Sequence, residues 1–194
     1  MIDNYKESYY KTANYVSYLD RSEKYEKTAR ELEHLLSSLK INKTPYLDYG
    51  CAVGHLVKGF NSIGVNNIEG YDISEWAVNE AKQRGLNVSN EIDTKKYYGV
   101  VFFLDVLEHM TFGELNELFF SLSMNSFIFR IPVVKEEGQD YVLECSRQDP
   151  THIIRWTKPQ WDSLFYSFGY KPLSLDLNTI YDTEGVYCGL GVKL

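Results

Sequence analysis

Nowhere does this 194-residue sequence hold the run of about 20 apolar residues that a membrane-crossing helix needs, so no membrane span is expected. Cysteine is scarce: Cys51, Cys145 and Cys188 are odd in number and far apart. Such spacing supplies neither a metal knuckle nor a disulfide framework. No metal is therefore expected, and a reducing cytoplasm suits the chain. The opening Met1-Ile2-Asp3-Asn4-Tyr5 lacks a basic patch followed by an apolar core, so no secretory signal is read there. Positive charge is also short, with 20 Lys and Arg against 27 Asp and Glu and a net charge of −7. Proteins that wrap naked nucleic acid carry a basic stripe, because phosphate neutralisation supplies much of their affinity. Nucleic acid is thus disfavoured as a partner. Internal repeats and low-complexity segments are missing too, and the chain length suits one compact domain.

What is present in quantity is tyrosine, five of them (Tyr5, Tyr9, Tyr10, Tyr15, Tyr18) within residues 1–20. Either a lid over a ligand site or a Tyr-rich surface segment would account for them. A helix is expected from Arg21 to Lys40, capped by Asp20 with Glu23 three residues on. Its apolar face carries Ala29, Leu32, Leu36 and Leu39. Thr44-Pro45 closes this region. From there strands and helices alternate. Strands are read at 46–49, 67–71, 86–89, 100–104 and 126–131, with helices at 54–63, 74–84 and 111–121. The run Val100-Val101-Phe102-Phe103-Leu104 suits a central strand covered on both faces. Alternation at this spacing implies a parallel sheet with helices on both sides. Residues 132–156 read as a long, partly ordered insertion, of the kind that is usually functional. A helix at 158–168 follows, with Trp161, Leu164, Phe165 and Phe168 on one face. Two strands at 170–177 and 186–193 then form an antiparallel pair.

Chemistry concentrates in three places. Leu47-Asp48-Tyr49-Gly50-Cys51-Ala52-Val53-Gly54-His55-Leu56 joins a short strand to a helix through a glycine-bearing turn. In open parallel sheets ligands bind at the carboxyl ends of strands, where glycine permits close backbone approach. The next strand ends in Gly70-Tyr71-Asp72-Ile73-Ser74. Asp72 lies about twenty residues beyond the turn, the separation of an acid that accepts from both hydroxyls of a ribose. Beyond the fourth strand comes Asp105-Val106-Leu107-Glu108-His109-Met110, with two carboxylates and an imidazole close together.

These segments, with Ala77 and Ala81 after Asp72 and the late stretch Asp149-Pro150-Thr151-His152-Ile153, resemble the class I S-adenosylmethionine-dependent methyltransferases. The resemblance spans residues 45–194 in the right order. It implies a doubly wound α/β fold, a mostly parallel seven-stranded sheet closed by an antiparallel hairpin. As a single domain, residues 1–44 would form an N-terminal helical, Tyr-rich cap and 45–131 the cofactor-binding core. Residues 132–194 would supply the acceptor-side loop and closing strands. The implied cofactor is S-adenosyl-L-methionine. By the same resemblance, Asp48, Gly50 and Gly54 line its methionine part. Asp72 takes the ribose, Ile73 packs beside the adenine, and Asp93 lies near the adenine amino group. Asp105 lies near the transferred methyl. Ala52 stands where many members have glycine, which implies a modest cost. A nicotinamide dinucleotide fits less well, because Gly50, Ala52 and Gly54 do not supply G-x-G-x-x-G.

A hydroxyl acceptor would want a base, and histidine suits the task. Of four histidines, His34 reads as surface and His55 as packing or capping beside the turn. His109, Glu108 and His152 are the candidate catalytic groups. The fourth strand is not followed by the Asn/Asp-Pro-Pro-aromatic turn of nucleic-acid amino methylation. No Pro-Cys pair offers a cytosine nucleophile. The reading is transfer to oxygen of a small molecule or sugar. The rivals are a catalytically inactive cofactor-binding subunit and an enzyme acting on RNA or protein.

Overall fold

A computed structural model describes residues 5–11, 18–41 and 45–194 of the chain. Tyr15 and Thr44 therefore lie outside the described residues. The chain divides into two compact units, Met1–Asp93 and Thr94–Leu194.

In the first unit, α1 (Ser22–Ser38) is followed by β1 (Tyr46–Tyr49), α2 (His55–Ser62), β2 (Ile68–Tyr71), α3 (Glu75–Gln83) and the short β3 (Val88–Ser89). The strands run parallel in the order β3-β2-β1, with Asp48 opposite Gly70 and Gly70 opposite Val88. Ala29, Leu32 and Leu36 are buried on α1 as their spacing requires. Two details differ from the sequence reading. Asp20 does not cap α1: it closes a 3-10 turn at Tyr18–Asp20, which shifts the N-cap to Arg21, without a side-chain cap. Glu23 instead pairs with Lys27 at 2.8 Å. Leu39 is 49% exposed, because the helix ends one residue earlier and Leu39 is already its C-cap.

In the second unit the elements are β4 (Tyr98–Leu104), α4 (Phe112–Ser121), β5 (Met124–Pro132), α5 (Glu144–Gln148), α6 (Lys158–Ser167), β6 (Tyr170–Ser174) and β7 (Val186–Lys193). Thr111 and Glu114 form a capping box on α4, and Thr157 with Gln160 forms another on α6. β4 and β5 are parallel, while β7 runs antiparallel to both β5 and β6. The order is β4-β5-β7-β6, so the last strand enters between two earlier ones. Side-chain chemistry explains that order. β7 is apolar and buried along most of its length, as an interior strand must be, whereas β6 is half exposed and carries Pro172. Proline lacks the N–H an interior ladder needs and is confined to edges.

Seven strands, mostly parallel with antiparallel pairing at one end, give the doubly wound α/β fold expected. Residues 132–156 hold more order than their polar composition announces. Val134 bridges Tyr141, Val134 N–H donates to Trp156 O at 3.1 Å, and the Tyr141 hydroxyl donates to Ile154 O at 2.5 Å. Among the described residues, no helix is long and apolar enough to cross a membrane.

Candidate functional site

The first unit gathers its chemistry at the carboxyl ends of β1 and β2. Between β1 and α2 the backbone enters the left-handed region three times, at Gly50 (φ 79°), Ala52 (φ 47°) and Gly54 (φ 77°). An alanine in that region costs roughly 1–2 kcal/mol. The Asp72 carboxylate holds it there: Oδ2 accepts from Ala52 N–H at 2.7 Å and Oδ1 from Ser74 N–H at 2.8 Å. Asp72 thus braces the turn and starts α3, and each oxygen keeps a second lone pair. A side chain at Gly54 is disfavoured by its φ of 77° and would crowd Leu86 Cδ1 at 2.7 Å and Ala81 Cβ at 3.3 Å.

Two buried carboxyls face one another's field here. Burial, and after it the nearby Asp72, lift Asp48 to about 8. Burial also raises Asp72, against the pull of the Ser74 and Ala52 amides. The main influences on the pair are burial, the field between the two carboxyls and backbone amides among the described residues, so ionisation of the pair would be favoured by a cation. Ile73, next to Asp72, is 40% exposed and offers an apolar face. Asp93 is an exposed loop residue after β3. Tyr10 is buried against Ala52, Val53 and Ala77 and stacks on Trp76 at 5.2 Å. Ser74 Oγ donates to the Tyr5 carbonyl at 2.6 Å, so the amino-terminal segment packs on this same turn. His55 is buried and stacks on Tyr25 at 5.4 Å, the packing role expected of it.

In the second unit, Asp105 follows β4 with φ 58°. Arg130 of β5 binds both its carboxylate oxygens, and Asp105 N–H donates to Arg130 O at 2.8 Å. Glu108 and His109 sit on a 3-10 turn, Leu107–His109. The insertion is pinned onto that turn, because Ile153 and Ile154 N–H donate to Glu108 O at 3.0 and 3.1 Å. This pinning brings His152 to His109, with ring centroids 4.6 Å apart. Thr151 Oγ1 donates to Asp149 and lies 2.9 Å from His109 Nδ1, while His152 Nδ1 lies 3.1 Å from Ser146 O.

Burial works against the charged form of both imidazoles. Burial, then the neighbouring His152, lowers His109 to about 4. Burial lowers His152 as well, opposed by Asp149. Burial pushes Asp149 up, but the Thr151 hydroxyl and amide hold it below the usual carboxylate range. Glu108 is fully buried and pushed well up, first by burial and next by Asp105.

Residues 20–175 match the family described as Methyltransferase domain. The chain is a class I S-adenosylmethionine-dependent methyltransferase. Solved structures similar to this methyltransferase include a SAM-dependent methyltransferase from Archaeoglobus fulgidus. That protein is 17% identical, with a TM-score of 0.64 over 92% of this chain and 100% of its own. Another is the magnesium protoporphyrin IX methyltransferase from Synechocystis PCC 6803 with bound SAH. It is 17% identical, with a TM-score of 0.61 over 95% of this chain and 91% of its own. A Pyrococcus horikoshii OT3 protein is 19% identical, with a TM-score of 0.63 over 97% and 99%. No curated protein matches the sequence. S-adenosylmethionine is the family's methyl donor. The first unit suits such a group: its turn takes left-handed backbone at three positions, two buried carboxyls lie beside it, and each Asp72 oxygen keeps a second lone pair.

Asp48, Gly50, Gly54, Asp72 and Ile73 are brought together in the first unit, and Glu108, His109 and His152 in the second. Sequence reading missed Arg130, although a lone arginine in the strand Ser126-Phe127-Ile128-Phe129-Arg130-Ile131 was a signal. It also missed Thr151, which positions His109 and betrays itself by no local pattern.

Proposed function

We propose that this methyltransferase transfers a methyl group from S-adenosylmethionine to an oxygen of a small-molecule or sugar acceptor. The observation that carries the acceptor reading is the cluster of Glu108, His109 and His152. A neutral hydroxyl attacks poorly until its proton is drawn away, and these groups present lone pairs suited to that work. When bound, the cofactor supplies an activated methyl on a sulfonium, which leaves as a neutral thioether. Asp48, Gly50 and Gly54 hold its methionine portion, Asp72 its ribose and Ile73 its adenine. Asp93 belongs to the adenine side. Asp105, bound by Arg130, belongs to the side of the transferred methyl. The acidic net charge of −7 supports a small acceptor over a polyanion.

Transfer of radiolabelled methyl to panels of hydroxyl-bearing small molecules and sugars, to RNA and to protein tests this. Label in the small-molecule panel is expected. Label confined to RNA or protein would move the acceptor to a macromolecule, and cofactor binding without label anywhere would indicate an inactive partner subunit. With an acceptor in hand, His152→Ala should slow transfer by about 10²-fold or more while cofactor affinity stays nearly intact. A large loss of cofactor affinity in that variant would count against an acceptor-side role.

A further inference from the structure

The Glu108 carboxylate is the least satisfied group among the described residues. It is fully buried, and neither oxygen has a hydrogen-bond partner there. Burying an unpaired charged carboxylate is expensive, so such a group takes up a proton, pairs with a cation or binds metal. Two imidazole nitrogens face Glu108 Oε1, His152 Nε2 at 3.8 Å and His109 Nε2 at 4.0 Å. Both distances are too long for hydrogen bonds, whose charge-assisted form closes to about 2.7–2.9 Å. They leave room for an intervening cation: ligand atoms about 2.1 Å from a tetrahedral ion stand roughly 3.4 Å apart, so the three side chains would close in by about half an ångström to hold one.

The outer contacts point the same way. His109 Nδ1 is engaged by Thr151, whose hydroxyl is held by Asp149, and His152 Nδ1 is engaged by the Ser146 carbonyl. Each Nδ1 therefore carries the proton, which leaves each Nε2 lone pair turned toward Glu108. A carbonyl or carboxylate behind the far ring nitrogen is the arrangement that orients metal-binding histidines. One ligand atom from each of Glu108, His109 and His152 lies within 4.8 Å of the others.

We infer that Glu108, His109 and His152 bind one divalent transition-metal ion through Glu108 Oε1 and the two Nε2 atoms. Two imidazoles and one carboxylate suit zinc, cobalt, manganese or iron(II) better than magnesium, and three protein ligands leave positions open. On the oxygen-acceptor reading, on which this last step rests, the open position takes the acceptor hydroxyl and lowers its pKa, so that its proton leaves to solvent. His109 and His152 then act as ligands rather than as bases. The proposal departs from the expectation of no metal drawn from scarce cysteine, because these ligands include no cysteine.

Titration of the full-length, EDTA-treated protein with Co2+, Zn2+, Mn2+ and Mg2+ tests the site without cofactor or acceptor. One Co2+ per chain is expected, with visible ligand-field absorption, displacement by Zn2+ and a raised Tm. Mg2+ should bind far more weakly. Glu108→Gln and His152→Ala should each weaken Co2+ binding at least tenfold, while His34→Ala, on the exposed face of α1, should not. Absence of saturable binding to the folded wild-type protein overturns the site. So does unchanged affinity in a folded Glu108→Gln or His152→Ala variant. If Glu108→Gln fails to fold, His152→Ala and the wild-type spectrum decide. Failure of metal binding would leave methyl transfer standing, and failure of cofactor binding would leave the metal site standing.

Discussion

Asp48 remains protonated at neutral pH because burial and Asp72 hold its carboxyl at about 8, far above the ordinary carboxylate range. The folded chain thus binds a proton that the unfolded chain has lost between roughly pH 4 and 8. The contribution of Asp48 to stability accordingly falls as pH rises through that window. A cationic cofactor has the opposite preference and favours the ionised form. Calorimetry at pH 7 in buffers of different ionisation enthalpy should detect proton release on S-adenosylmethionine binding, with affinity increasing toward pH 8. Asp48→Asn should abolish the release. Buffer-independent heats for the wild type would remove Asp48 from the cofactor's surroundings. Asp72 braces Ala52 and Ser74, and on the proposed function it also offers lone pairs to the ribose. Asp72→Ala should therefore weaken cofactor binding by about 1–3 kcal/mol and also lower the Tm. A variant with both quantities unchanged would contradict this placement.

Among the elements, those legible in the sequence are those whose pattern is local. The apolar run of β4 and the helical spacing of α1 each announce themselves within a few residues. Asp20 misled because a good capping residue was captured by the preceding 3-10 turn, which composition does not reveal. The order of β6 and β7 depends on which strand can be fully buried, and Pro172 was the local clue to the edge. The packing of α1 against α2 depends on Gly59, where an added Cβ would stand 2.5 Å from the Tyr25 carbonyl oxygen and 3.2 Å from Ala29 Cβ. Gly59→Ala gains about 1 kcal/mol of helix propensity but forces the two helices apart. A net loss of about 1–3 kcal/mol is expected from denaturant titration. Unchanged or increased stability would show that the contact can relax without cost.

At the scale of the whole molecule, alternation of strand and helix was enough to read the fold class, and the spacing of Gly50, Gly54 and Asp72 was enough to set the glycine turn beside the acid that ends β2. The cluster of Glu108, His109 and His152 was legible only as separate candidates. His152 lies 43 positions beyond His109 in sequence, and backbone bonds from Ile153 and Ile154 to the Glu108 carbonyl bring it back. Contacts of that kind leave no periodic trace. Family membership rests on residues 20–175 together, whereas cofactor use by this chain can be measured outright. Calorimetric titration of the purified protein with S-adenosylmethionine and with its demethylated product, NAD serving as control, is the most direct measurement. Saturable binding of one sulfonium ligand per chain, with binding of the product and none of NAD, is the expected result. Binding of neither ligand by folded protein, or binding of NAD in their place, would contradict the assignment.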